Sequence, residues 1–186
     1  MVKKWLVGAG LLALLVLASG LAQQTQQAPE KLAPFYPTPE SVVRKMLELG
    51  ELKAGEWHYD LGSGDGRVVI MAAQKFGANS RGYEIDDELY NKSMGRIKEL
   101  GLQKLAAIIK GDLAKADFSK PDLITVYLLP SSNDKIAPLL EKQMRKGSRV
   151  VSHDFEFSAW KPDKTISVED NDEGDGRTHT LYLYRR

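Results

Sequence analysis

The sequence predicts an α/β fold of the Rossmann-like kind: a mostly parallel sheet with helices on both faces, closed by a C-terminal antiparallel hairpin. Three observations carry it. Short apolar runs alternate with helical patterns between residues 57 and 153. A glycine-rich turn, Gly62-Ser63-Gly64-Asp65-Gly66, stands between the first apolar run and the helical pattern after it. Beyond that alternation, two strand-like runs at 165–169 and 179–184 flank a polar turn at 171–176.

Each element follows from local chemistry. Thr38, then Pro39, Glu40 and Ser41, reads as a helix start with a cap and a first-turn proline. Val42, Val43, Met46, Leu47 and Leu49 give that helix an apolar face, and Gly50 and Gly55 bracket its end. Strands are expected at 57–61, 81–85, 107–110, 123–129 and 149–153, and helices at 67–76, 87–100 and 133–145. With the hairpin this makes seven strands. Residues 23–37, rich in Gln, Ala and Pro without periodicity, read as a linker to a single domain over 38–186.

Composition narrows the function. The chain has 186 residues, 42% hydrophobic, enough for one buried core. Lys and Arg number 26 against 25 Asp and Glu, a net charge of +1, so nothing global favours nucleic acid, and none is expected as a partner. The absence of Cys removes disulfides, thiolate zinc sites and thiol nucleophiles. His58, His153 and His179 are far apart in sequence and form no ligand motif, so no metal site is expected. Lys3 and Lys4 precede an uncharged run to Ala22, the layout of a signal peptide or membrane anchor over 1–22. The expectation is a protein held at a membrane or exported, active on the cytoplasmic face.

The glycine turn sits where ligands of such sheets bind, at the carboxyl edge of the strands. Arg67 stands where a dinucleotide fingerprint would need its third glycine, and no Gly-Lys-Ser/Thr follows to cradle phosphates. Asp60 and Asp65 surround the turn with negative charge, which opposes a pyrophosphate and favours a cationic ligand. S-adenosylmethionine fits, carrying an ammonium, a sulfonium, a ribose diol and no phosphate. Glu84 ends the second strand at the spacing expected of a carboxylate that accepts from ribose hydroxyls, and Asp112 ends the third, within reach of an adenine amino group.

With these residues, the chain resembles the seven-strand class I S-adenosylmethionine-dependent methyltransferases, and more narrowly the lysine methyltransferases related to the ATP synthase c-subunit enzyme and its archaeal and bacterial counterparts. The matching pieces are Pro34-Phe35-Tyr36-Pro37-Thr38-Pro39, Tyr59 through Arg67, Tyr83-Glu84-Ile85-Asp86, Gly111-Asp112-Leu113, Tyr127-Leu128-Leu129-Pro130 and Val150 through Phe155. The resemblance implies a Rossmann-like methyltransferase fold and S-adenosylmethionine held by Tyr36, Thr38, Asp60, Gly62, Ser63, Gly64, Asp65, Glu84 and Asp112. It also implies a lysine-bearing protein substrate, membrane proteins included. Tyr127-Leu128-Leu129-Pro130 stands where base-directed enzymes often carry Asn/Asp-Pro-Pro-Tyr, which disfavours a base as acceptor. Small-molecule or RNA methylation, and a non-catalytic cofactor-binding module, are the competing readings.

Methyl transfer to an amine needs a positioned nitrogen, an aromatic wall that tolerates a cation, and an exit for a proton. Tyr127, His153 and Asp154 end the fourth and fifth strands, at the edge where the methyl must point. A core tyrosine and a turn-stabilising His153–Asp154 pair are their structural alternatives. Ser152, His153 and Asp154 are not a hydrolase triad, since neighbours on an extended segment point to opposite faces. His58, inside the first strand, reads as structural, and the acidic stretch 169–175 as a solvated turn whose charge attracts a lysine.

Overall fold

The computed structural model describes residues 31–170 and 176–186. Seven strands form one sheet in the order β3-β2-β1-β4-β5-β7-β6. They are β1 (Trp57–Leu61), β2 (Asn79–Glu84), β3 (Ala106–Lys110), β4 (Leu123–Val126), β5 (Arg149–His153), β6 (Lys164–Glu169) and β7 (Thr178–Arg185). The first five pair in parallel. β7 runs antiparallel to β5 and is inserted between it and β6. The hairpin's second strand thus joins the parallel sheet, and its first strand is the edge.

Among the described residues four α-helices cover the faces: α1 (Glu40–Leu49), α2 (Arg67–Phe76), α3 (Asp87–Glu99) and α4 (Pro130–Gln143). Strand alternation sends neighbouring residues to opposite layers. Leu123 and Val151 pack with Val42, Val43 and Leu47 of α1, whereas Ile124 and Val150 pack with Ile136 and Leu140 of α4. The order reverses between β1 and β4, where such sheets open a crevice at their carboxyl ends.

The structure differs from the sequence reading at several places. Pro39, not Thr38, precedes α1, and no side chain caps that helix. β4 ends at Val126 and α4 starts at Pro130, because a residue before proline is held extended and proline suits the first helical position. Residues 31–37, read as linker, lie along the crevice, with Leu32 and Ala33 packed on the core. The membrane localisation is corrected: among the described residues no helix is long and apolar enough to cross a membrane. The run that suggested a signal or anchor, 1–22, lies outside the described residues, as does most of the acidic turn.

Candidate active site

The crevice is partly open to solvent and is walled by Asp60, the glycine turn, Glu84, Thr38, Tyr36 and Tyr127 among others. Gly62, Gly64 and Gly66 have φ of 78°, 53° and 79°, the left-handed region in which a side chain is strained. The turn they form is tied back to β2: the N–H groups of Gly62 and Ser63 donate to Tyr83 O at 3.1 and 2.9 Å. Glu84 completes the tie. Its Oε2 accepts from Gly64 N at 2.7 Å, and its Oε1 accepts from Ile85 N and Asp86 N, both at 2.8 Å. Three of roughly four lone-pair positions are therefore used before any ligand arrives.

Asp60 is buried at the end of β1 and accepts from Thr125 Oγ1 at 2.6 Å. Burial pushes its carboxyl up to about 7; the Thr125 bond opposes that, and the nearby Glu84 and Asp65 add to it. Behind it lies a buried chain of hydrogen bonds. Thr125 gives its only proton to Asp60, so it accepts from His58 Nε2–H at 2.9 Å, and Ser80 Oγ–H donates to His58 Nδ1 at 2.7 Å. Burial holds His58 neutral, down to about 3. His58 thus supports Asp60 from behind, through Thr125.

Asp65 is not the free anion the sequence suggests. Burial would raise its carboxyl, but Arg67 grips both oxygens at 3.0 Å and Arg96 adds a third contact at 3.2 Å, which together hold it below the usual carboxylate value. Arg67 also donates to Thr38 O at 2.8 Å, so the residue that breaks the dinucleotide pattern buttons the N-terminal segment onto the glycine turn. Phe35 covers Gly64: a Cβ there would come within 2.6 Å of its ring. Tyr36, 52% exposed, accepts from Arg177 Nη2 at 2.7 Å with the guanidinium 5.2 Å over its ring. Ser63 is pressed on Gly82, where a Cβ would approach to 2.5 Å of Ser63 Cβ, and its Oγ is buried without a hydrogen-bond partner. Asp112 is turned to capping, accepting from Ala114 N at 2.9 Å, while its neighbours Gly111 and Leu113 line the crevice.

Beside the crevice, the ends of β4 and β5 bring Tyr127, His153 and Asp154 together. Tyr127 OH donates to Asp154 Oδ2 at 3.3 Å, and its ring lies 3.9 Å from that of His153. Burial and the Asp154 charge push the tyrosine up to about 12. His153 Nδ1 is 3.2 Å from Thr38 Oγ1. Burial brings His153 down to about 4, against the pull of Asp154 and with the help of His179 and Arg177. Asp154 has φ of 58°, and that left-handed turn brings its carboxylate back to His153, 3.4 Å away, so the opposite-face expectation fails for this pair. It holds for Ser152, whose hydroxyl is bonded to Phe155 O.

Nothing in the sequence singles out His179 as a site residue. β7 carries it to this cluster, with Nδ1 2.8 Å from His153 Nε2 and 3.4 Å from Asp154 Oδ2. The histidines that look unrelated in sequence thus include a contacting pair, because pairing of β5 with β7 is set at long range. Arg67 and Gly82 also escape the sequence reading as functional positions. A glycine inside a predicted strand was the available signal for Gly82.

The site suits S-adenosylmethionine. The glycine turn brings backbone to the crevice wall, and two buried carboxylates, Asp60 and Glu84, stand at adjacent strand ends. Comparison with known proteins agrees. Residues 60–164 match the family described as ANTKMT methyltransferase domain. The chain is 41% identical over 152 residues to a protein-lysine N-methyltransferase of Saccharolobus islandicus, covering 81% of this chain and 92% of that protein. It is 30% identical over 158 residues to the ATP synthase c-subunit lysine N-methyltransferase of Homo sapiens, covering 85% of this chain but 66% of the human one. A crystal structure described as that of an RNA methyltransferase from Salinibacter ruber with S-adenosyl-L-homocysteine superposes with a TM-score of 0.74 at 44% identity, over 81% of this chain and 93% of that one. By fold, sequence and cofactor site, the chain belongs to the ANTKMT methyltransferase domain family and is an S-adenosylmethionine-dependent methyltransferase.

Proposed function

We propose that the enzyme methylates the side-chain amine of lysine in a protein substrate. The observation that carries this reading is the cluster of Tyr127, His153 and Asp154 beside the cofactor crevice: an anion, a neutral imidazole and an aromatic face in one place. The cofactor supplies a methyl group activated on a sulfonium. The chain's own groups deal with the amine. Asp154, its side chain 26% exposed, attracts the incoming ammonium and orients it. Tyr127 forms the aromatic wall and holds Asp154 in place. The neutral His153 beside them is a place for the proton that must leave before nitrogen can attack. Asp60, Gly62, Ser63, Gly64 and Glu84 hold the cofactor, Tyr36 and Thr38 close over it, Asp65 braces the turn through Arg67, and Asp112 fixes the wall made by its neighbours. The catalytic unit is residues 38–186, with 31–37 as its cover.

The lysine specificity named for the archaeal and human relatives supports this reading, as does the Tyr-Leu-Leu-Pro sequence at the end of β4. The description of the Salinibacter neighbour favours RNA as a second acceptor class, against which stands a net charge of only +1. The two are separated by incubating the enzyme and methyl-labelled cofactor with protein and with RNA extracts from cells lacking it. Methyl-lysine in the protein hydrolysate is expected; label confined to nucleosides would overturn the proposal.

A further inference from the structure

We propose that His153, Asp154 and His179 form a binding site for one zinc-like divalent cation, adjacent to the cofactor crevice. His153 Nε2 and His179 Nδ1 are 2.8 Å apart, and Asp154 Oδ2 is 3.4 Å from each of them. Zinc bound tetrahedrally, with bonds of about 2.0–2.2 Å, sets its ligand atoms roughly 3.3 Å apart. The three atoms are thus already spaced as one face of such a tetrahedron, to within about 0.5 Å, and the fourth position is left for water. Two imidazole nitrogens and one carboxylate select zinc and its first-row neighbours over magnesium or calcium, which prefer oxygen donors.

The surroundings of the three ligands match what a metal site needs. Metal-bound histidines and carboxylates are oriented by hydrogen bonds to their remaining atoms. Thr38 Oγ1 lies 3.2 Å from the outer nitrogen of His153, and Thr180 N–H donates to the outer oxygen of Asp154 at 3.0 Å. Asp154 N–H, bonded to Thr180 O at 2.7 Å, fixes the left-handed turn that aims the carboxylate inward. His179 Nε2 is buried with no partner, so no outer bond dictates which nitrogen of that ring carries the proton. On metal binding, the proton now shared between the two rings moves to an outer nitrogen; both rings stay neutral and both inner lone pairs face the ion. Asp154 is the partly exposed member and gives the ion its approach. Arg177, whose charge reaches His153, is the cation that works against it.

The test uses the untagged full chain, stripped with chelator, and Co²⁺ and Zn²⁺ as probes. One Co²⁺ per chain is expected, with the strong visible absorption of tetrahedral coordination, and Zn²⁺ should displace it. His179→Ala should weaken binding at least 100-fold while leaving S-adenosylmethionine affinity within about twofold, which certifies the fold. Asp154→Asn, which tolerates the left-handed backbone, should weaken it too. No tetrahedral Co²⁺ spectrum, or undiminished binding in either variant, overturns the site. Saturating Zn²⁺ should also block methyl transfer without displacing cofactor, an arm that rests on the proposed roles of His153 and Asp154. Stoichiometric binding without inhibition supports the metal site and overturns those roles instead.

Discussion

Glu84 Oε2 accepts a 2.7 Å hydrogen bond from the backbone N–H of Gly64. The carboxylate that the sequence marked as a ribose acceptor is thereby also the strut that holds the glycine turn closed. Hydrogen bonds to a charged group contribute about 1.5–3 kcal/mol each. Glu84→Ala should therefore lower S-adenosylmethionine affinity more than tenfold and speed amide exchange at Gly64, read by calorimetry and hydrogen exchange. Wild-type affinity in a folded Glu84→Ala protein contradicts the assignment.

Cofactor affinity should rise with pH through the carboxyl of Asp60. Burial holds that group near 7, and an ammonium pairs with its ionised form. Binding measured from about pH 5.5 to 8.5 should strengthen by up to tenfold per unit below 7 and level off above it. Asp60→Asn should be weaker at high pH and flat across the range. A wild-type affinity that is equally flat removes Asp60 from the cofactor's amino end.

Stability should respond to the same pH range through opposing groups. His58 and His153 titrate near 3 and 4 in the fold and near 6.5 unfolded, so the unfolded chain binds their protons first and stability falls as pH drops from about 6.5 to 4. Asp60 acts with the opposite sign: raised from 3.8 to about 7, it contributes stability below 3.8 that is lost as pH rises to 7. Asp60→Asn should make the acid loss steeper, and His58→Gln should make it shallower. Denaturant midpoints at four pH values decide it; parallel curves for the two variants contradict the assignment.

Transfer should suffer more than binding when the β4 and β5 ends are changed. Asp154→Asn and Tyr127→Ala should lower kcat by about 10²-fold, the usual scale for losing the positioning of a reacting group, with cofactor affinity nearly unchanged. Asn is the informative replacement at 154, because φ of 58° would strain Ala. Single-turnover rates measure the effect, and wild-type rates in both variants move the catalytic edge elsewhere.

Gly82→Ala should disturb the cofactor site without touching a ligand. Its Cβ would reach 2.7 Å from Ile108 Cδ1 and 2.5 Å from Ser63 Cβ, so the turn must shift, at about 1–3 kcal/mol for overpacking. Ser63→Gly added to Gly82→Ala should recover part of the stability lost. Thermal unfolding of the three variants provides the check; no recovery places the strain on Ile108.

The sequence by itself determined the strand and helix succession, the glycine turn at the end of β1, and the carboxylates Asp60 and Glu84 at neighbouring strand ends. These features rest on periodicity and turn chemistry, which act between residues close in the chain. Tertiary structure decided what those groups are. Asp65, gripped by its near neighbour Arg67, also receives Arg96 from α3, and the carboxyl of Asp60 at the β1 end is raised by burial. Thr38, which reads as a helix cap, is drawn to His153 of β5 instead. His179 reaches His153 because β7 is inserted beside β5, a pairing that no local pattern specifies. Burial and strand order are properties of the whole fold, and both the charge of a buried acid and the meeting of two distant histidines depend on them.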